Sequence, residues 1–118
     1  SINKIVLLED SDGYYFADYR KNRFIATKFD KFSIASIKND AVFSKIANSE
    51  ILEFYLAFAR FPAVKLEFKT GSRELRLFDL RFYNEYFDSS RAGFDLKFEY
   101  DDKSNIITYK FHKIKGRI

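Results

Sequence analysis

Two short stretches hold the residues of this chain whose types and spacing best suit charge-based chemistry. Residues 58–62 read Phe-Ala-Arg-Phe-Pro and residues 79–82 read Asp-Leu-Arg-Phe. Each places an arginine in apolar surroundings, where a charge is costly unless it is paired. Asp79 and Arg81 would share one face of a regular strand, and Arg60 closes an apolar helix just before the partner strand. One carboxylate could therefore accept forked hydrogen bonds from one or two guanidinium groups.

Two interpretations of Arg60, Asp79 and Arg81 are open. The three residues could bind an anionic ligand, or Asp79 could lock the end of the helix to the sheet. We favour the lock, because a buried ion pair needs no ligand to explain it.

The other residues give little support for catalysis or metal binding. The chain has no cysteine and a single histidine, His112, which excludes thiolate chemistry and a multi-histidine metal site within one copy. We interpret His112 as a surface residue. The acidic turns at residues 10–12 and 101–102 lack the calcium-loop pattern, and no phosphate loop or nucleophile elbow is present. We expect no catalytic residue, no metal site and no cofactor within this chain.

The positive charge is concentrated at the C-terminal end. Residues 103–118 carry five cations and no carboxylate in a chain of net charge +4, so the preceding residues are close to neutral. Such a basic tail predicts weak attraction to an anionic lipid surface, or simply a solvated chain end. RNA-binding motifs are absent, so we do not expect nucleic-acid binding.

The first part of the chain predicts a three-stranded meander. Its 118 residues suit a single soluble domain, and the aromatic content of 19% argues against disorder. Strands are predicted over residues 4–9, 14–19 and 24–29, with turns between them.

Helices and further strands follow. Asp40 should cap a short helix over residues 41–46, and Ser49 a main helix over residues 50–60 that is buried on most sides. Strands are predicted over residues 64–69, 74–82, 94–100 and 106–113. In the second of these the apolar pattern changes phase near Leu77, which indicates a bulge or burial of both faces. The fold class is therefore α+β: an antiparallel sheet of about seven strands, three before and four after the helices, packed against one main helix and a short helix.

No apolar stretch has the length of about 20 residues that a membrane-spanning helix needs. The chain opens at Ser1 without an initiator methionine. We therefore expect a domain excised from a longer protein or a processed product.

The stretches at residues 58–62 and 79–82, with the opening strands, resemble a known group. They are similar to the C-terminal extramembrane domain of bacterial membrane-bound proteins described as metal-dependent hydrolases. In that group a multi-span membrane region precedes the domain and carries the His and Asp residues considered to bind metal. A Trp expected near the membrane exit is absent here. The resemblance implies that any divalent metal belongs to the membrane region of the same polypeptide, with this domain on the cytoplasmic side.

The resulting functional prediction is a non-catalytic accessory or regulatory domain of a membrane-bound hydrolase whose substrate is not identified. The alternative is a free-standing soluble module that binds a small apolar or anionic ligand, with Arg60 or Arg81 meeting an anion. A third hypothesis is self-association through an exposed edge strand.

Overall fold

A computed structural model describes residues 4–11, 13–20, 23–82 and 94–118. The chain is α+β, as predicted, and within residues 4–31 and within residues 62–117 the strands pair in antiparallel fashion with their sequence neighbours. The described residues form eight strands instead of about seven. The chain divides into two compact units, Ser1–Lys31 and Phe32–Ile118, which we describe separately.

The first unit is the predicted meander of three strands. They are β1 (Lys4–Glu9), β2 (Gly13–Arg20) and β3 (Arg23–Lys31). Asp10 shapes the first turn, because its Oδ1 accepts a hydrogen bond of 2.8 Å from the backbone N–H of Gly13. Lys31 ties β3 to β1 through an ion pair of 2.6 Å with Glu9.

The second unit contains the helices and five strands in sequence order. The helices are α1 (Ile34–Lys38) and α2 (Glu50–Phe58), with a 3-10 helix at Ser44–Asn48 between them. The strands are β4 (Pro62–Lys69), β5 (Ser72–Asp79), β6 (Leu96–Asp101), β7 (Ile107–Phe111) and β8 (Ile114–Arg117), with a 3-10 helix at Leu80–Phe82 after β5.

The helical region differs from the sequence prediction in three ways. The short helix predicted over residues 41–46 is shifted: Asp40 caps a turn, accepting from the backbone N–H groups of Val42 and Phe43, and a 3-10 helix follows at Ser44–Asn48. The α1 helix was not predicted. Ser49 does cap α2, but the helix ends at Phe58 and not at residue 60, because Ala59 is already extended and the N–H groups of Arg60 and Phe61 bond to Asp79 instead of to the helix.

The α2 helix is also less buried than its composition indicates. Leu52 and Tyr55 are fully buried, whereas Phe54 is 56% exposed. The helix therefore covers the sheet with one side and presents an aromatic residue on the other.

Two strand predictions also need correction. The strand predicted over residues 74–82 stops at Asp79, so Asp79 and Arg81 do not share a strand face. The strand predicted over residues 106–113 divides at His112, where φ is 53°. A positive φ reverses the chain and starts β8. The phase change near Leu77 has its cause in burial of both faces of β5, since the ladder with β4 runs through it without interruption.

One face of the three strands β5, β6 and β7 forms the core of the second unit with the helices. The buried core residues are Ile37, Phe43, Ile46, Leu52, Tyr55, Leu75, Leu77, Leu96, Phe98, Ile107 and Phe111. In the described residues, none of the helices has both the length and the apolar character needed to cross a bilayer. The opposite face of β4–β8, which we call the polar face, carries the charged side chains because residues alternate along each strand.

Candidate functional site

Strand register brings Asp79 to the end of α2. Pro62, the first residue of β4, is the direct partner of Asp79, the last residue of β5. Only Ala59, Arg60 and Phe61 separate Pro62 from the helix. The Asp79 carboxylate therefore lies at the junction between the end of α2 and the start of β4.

The Asp79 carboxylate is fully buried and is surrounded by donors from this junction. Its Oδ2 accepts from the backbone N–H of Arg60 at 3.0 Å, and its Oδ1 accepts from the backbone N–H of Phe61 at 3.4 Å. These are the first N–H groups after the helical cap residue. The carboxylate thus satisfies backbone donors that neither the helix nor the sheet uses.

Arg81 neutralises this carboxylate and also reaches the helix. Its Nε and Nη2 lie 2.9 and 2.8 Å from Asp79 Oδ2, and its backbone N–H donates to Oδ1 at 3.0 Å. The same Nη2 donates to the carbonyl oxygen of Phe58 at 2.9 Å. A cation at the last carbonyl of a helix is favoured by the helix dipole. We call Asp79, Arg81 and the main chain of residues 58–61 the junction lock.

The balance of forces at Asp79 favours the charged form. Burial alone would raise the pKa of Asp79, but hydrogen bonds from the Arg81 side chain and from the backbone of Arg60 and Arg81, together with the Arg81 charge, lower it. A carboxylate held this way is a poor general base.

Arg60 contributes its main chain to the lock. Arg60 is exposed. Among the described contacts, its guanidinium makes no hydrogen bond to Asp79. The expectation that Arg60 and Arg81 might both donate side-chain hydrogen bonds to Asp79 therefore holds for Arg81 only. Arg60 lies two residues beyond the end of α2, and it is its backbone N–H that faces Asp79.

Tyr55 lies next to this charge cluster in the core. Its side chain is fully buried, and within the described part of the chain its Oη has no hydrogen-bond partner. Burial, followed by the charges of Asp79 and Asp95, raises the pKa of Tyr55, against a smaller opposing effect of Arg81. The phenol therefore stays neutral and is not a base or a nucleophile.

The sequence analysis missed a second buried ion cluster, on β5. Glu74 and Arg76 are 6% and 7% exposed, and Arg76 Nη2 lies 3.2 Å from Glu74 Oε2. Arg76 Nε also lies 4.0 Å from Asp95 Oδ2, and Lys69 lies 3.4 Å from Glu74. The signal in the sequence was the change of phase of the apolar pattern in β5, which is consistent with burial of both faces of that strand.

The sequence analysis also missed an alignment of cations across the polar face. Direct register partners place one cation on every strand of the second unit: Lys65, Arg76, Lys97, Lys110 and Lys115. We call this set the basic row. The next row contains three carboxylates, those of Glu67, Glu74 and Glu99, which partly compensate its charge.

The remaining candidates have structural roles. His112 is exposed, as predicted, and packs edge-on against Phe94 and Phe111. Asp101 Oδ1 accepts from the backbone N–H of Lys103 at 2.8 Å and so closes the β6–β7 turn. In the part of the chain that the structure describes, no group of three or more His, Asp or Glu side chains is arranged to hold a metal ion.

Comparison with known proteins finds no matching family model, no similar curated protein and no similar solved structure.

The junction lock predicts a large loss of stability when its carboxylate is removed. Asp79→Ala should lower the free energy of unfolding by about 3–5 kcal/mol, because it leaves Arg81 and buried N–H groups without their acceptor. Urea unfolding monitored by circular dichroism measures this loss. Asp102→Ala, which removes a carboxylate from an exposed ion pair, is the matched control and should cost less than about 1 kcal/mol. A loss below about 1 kcal/mol for Asp79→Ala would contradict the lock.

For the Tyr55 hydroxyl group we expect the opposite effect of removal on stability. Tyr55→Phe should leave stability unchanged or raise it by about 1–3 kcal/mol, because it removes an unsatisfied buried hydroxyl. Tyr100→Phe is the control: its hydroxyl donates to Asn105 Oδ1 at 2.5 Å, so its loss should cost about 0.5–1.5 kcal/mol. Thermal unfolding of both variants gives the comparison. If Tyr55→Phe is the more destabilised of the two, the Tyr55 hydroxyl has a partner and our description of the core is incorrect.

Proposed function

We propose that this chain is a non-catalytic accessory domain that attaches to an anionic membrane surface. The contact surface is the end of the second unit where the β7–β8 hairpin meets the aromatic residues beside it. Two properties of this surface support the proposal, its charge and its exposed apolar side chains.

The charge comes from the β7–β8 hairpin. Lys113 lies in the turn, and Lys115 and Arg117 follow on β8; all three are exposed. Ile114 lies among them and is 52% exposed. Cations interspersed with an exposed aliphatic side chain are suited to a bilayer interface, where the charges meet anionic headgroups and the apolar group enters the acyl boundary.

The apolar contribution comes from an aromatic patch, which we define as Phe54, Phe58, Phe82 and Phe94. Phe82 and Phe94 have ring centroids 4.7 Å apart, and Phe58 lies 5.9 Å from Phe94 and 5.7 Å from Phe54. Three of the four are large exposed hydrophobics: Phe54, Phe82 and Phe94. A contiguous exposed apolar patch on a folded domain favours an interaction site.

The observation that carries the proposal is the continuity of these two features. The His112 ring, in the hairpin turn, lies 5.2 Å from Phe94, so the aromatic patch borders the cationic hairpin directly. The combined surface joins exposed aromatic rings to the basic turn of the hairpin, where Lys113 is exposed. Both the hydrophobic effect and attraction to anionic headgroups would then contribute to binding.

The wider assignment follows from the sequence resemblance. On that basis the domain serves a membrane-bound, hydrolase-like protein, with any divalent metal in the membrane region of the same polypeptide. The cytoplasmic side is the natural location for the basic surface, since anionic lipids are concentrated in the cytoplasmic leaflet.

The alternative, binding of a small ligand through Arg60 or Arg81, has less support. The Arg81 guanidinium already donates to Asp79 and to the carbonyl oxygen of Phe58. Asp79 is fully buried, so an incoming anion would have to displace the lock.

Vesicle co-sedimentation tests the membrane proposal. The protein should bind vesicles of phosphatidylcholine mixed with phosphatidylglycerol, bind pure phosphatidylcholine much less, and lose affinity as salt is raised. Each cation near an anionic surface contributes about 1 kcal/mol. The double variant Lys113→Gln, Arg117→Gln should therefore bind roughly 30-fold more weakly.

The matched control is Lys38→Gln with Lys45→Gln. It removes two positive charges from exposed positions in the helical region. It should bind nearly as well as the unmodified protein. Equal weakening by both double variants, or no preference for the anionic vesicles, would overturn the proposal.

A further inference from the structure

A groove lies on the polar face of the second unit and is separate from both the junction lock and the aromatic patch. Its volume is about 560 Å³, within the range of small-molecule sites. The side chains that give it chemical character are Glu74, Lys97, Glu99, Thr108, Lys110 and Lys115. They come from the four consecutive strands β5 to β8.

Three members of the basic row converge in this groove. Lys97 pairs directly with Lys110, and Lys110 with Lys115. Neighbouring strands are about 4.8 Å apart, and like charges directly opposite each other destabilise a sheet. An anion bound among the three ammonium groups would remove this repulsion.

The carboxylates of the groove do not cancel this attraction. Glu74 is already paired with Arg76 and Lys69, at 3.2 and 3.4 Å. Glu99 lies opposite Thr108, one row away from the lysines. The groove thus has a cationic side with an adjacent hydroxyl group, and a second side where Glu99 can accept a hydrogen bond from a ligand.

We propose that this groove binds a small phosphorylated ligand. The phosphate lies among Lys97, Lys110 and Lys115 and accepts a hydrogen bond from the Thr108 hydroxyl group. Lysine ammonium groups bind phosphate as point charges, and three of them together suit a ligand that carries more than one negative charge. This site does not depend on membrane attachment, and its phosphate could belong to a soluble compound or to a lipid headgroup.

The test uses tripolyphosphate as the probe, with isothermal titration calorimetry at constant ionic strength. The intact chain should bind it saturably and gain thermal stability in its presence. Lys97→Gln and Lys110→Gln should each weaken binding at least about tenfold, the equivalent of about 1.4 kcal/mol. Lys103→Gln is the matched control, because Lys103 is exposed in the β6–β7 turn and should leave affinity unchanged.

Two results would overturn the proposal: no saturable binding at matched ionic strength, or equal weakening by Lys103→Gln, which would indicate non-specific charge attraction. Lys110 is exposed. Lys110→Gln therefore still tests the proposal if the half-buried Lys97 is necessary for folding. Circular dichroism verifies the fold of each variant.

The source of the phosphate is distinguished with phosphatidylglycerol-containing vesicles. If Lys97→Gln weakens both tripolyphosphate and vesicle binding, the groove holds a lipid headgroup. If it weakens only tripolyphosphate binding, the ligand is soluble. Lys113→Gln changes only the exposed hairpin turn and should retain tripolyphosphate binding in either case while weakening vesicle binding, so failure of the membrane proposal and failure of this one give different results.

Discussion

The second unit depends on one buried carboxylate. Asp79 accepts backbone hydrogen bonds from the chain that leaves α2, and its charge holds Arg81 against the last carbonyl region of that helix. A single side chain thereby fixes the end of α2, the start of β4 and the end of β5. Removing it would leave the Arg81 guanidinium without its carboxylate and the backbone donors unsatisfied, which is why a charge is tolerated beside an apolar core.

The charged residues of the second unit fall into two groups. Asp79, Arg81, Glu74 and Arg76 have their charges compensated within the protein. The lysines of β6, β7 and β8 lie on the polar face or at the hairpin, where an external anion can reach them. Residues that first suggest chemistry in the sequence thus maintain the fold, and the groove that we propose for binding comes from strands in which lysine and glutamate alternate with apolar residues.

The sequence predicted the α+β class, the meander and the partners of Asp79 in general terms, since these follow from alternation and from the cost of an unpaired buried charge. It did not predict that β5 ends at Asp79, because Leu80–Phe82 continues the apolar pattern of a strand. The division at His112 was missed since a positive φ at a non-glycine residue has little sequence signature. The basic row required the exact pairing of five strands, which pattern alone does not supply.

The most direct test of the lock is the titration of the Asp79 carboxyl group, followed by carbon NMR of labelled protein. We predict a midpoint below the ordinary value of 3.8. In Arg81→Gln the midpoint should rise, because the side-chain hydrogen bond and the charge of Arg81 no longer offset the effect of burial. With a lowered pKa, the folded state releases the proton more readily than the unfolded chain, so the carboxylate stabilises the fold above about pH 4 and this contribution is lost as the pH falls further. A midpoint at or above 3.8 that is insensitive to Arg81→Gln would contradict the account.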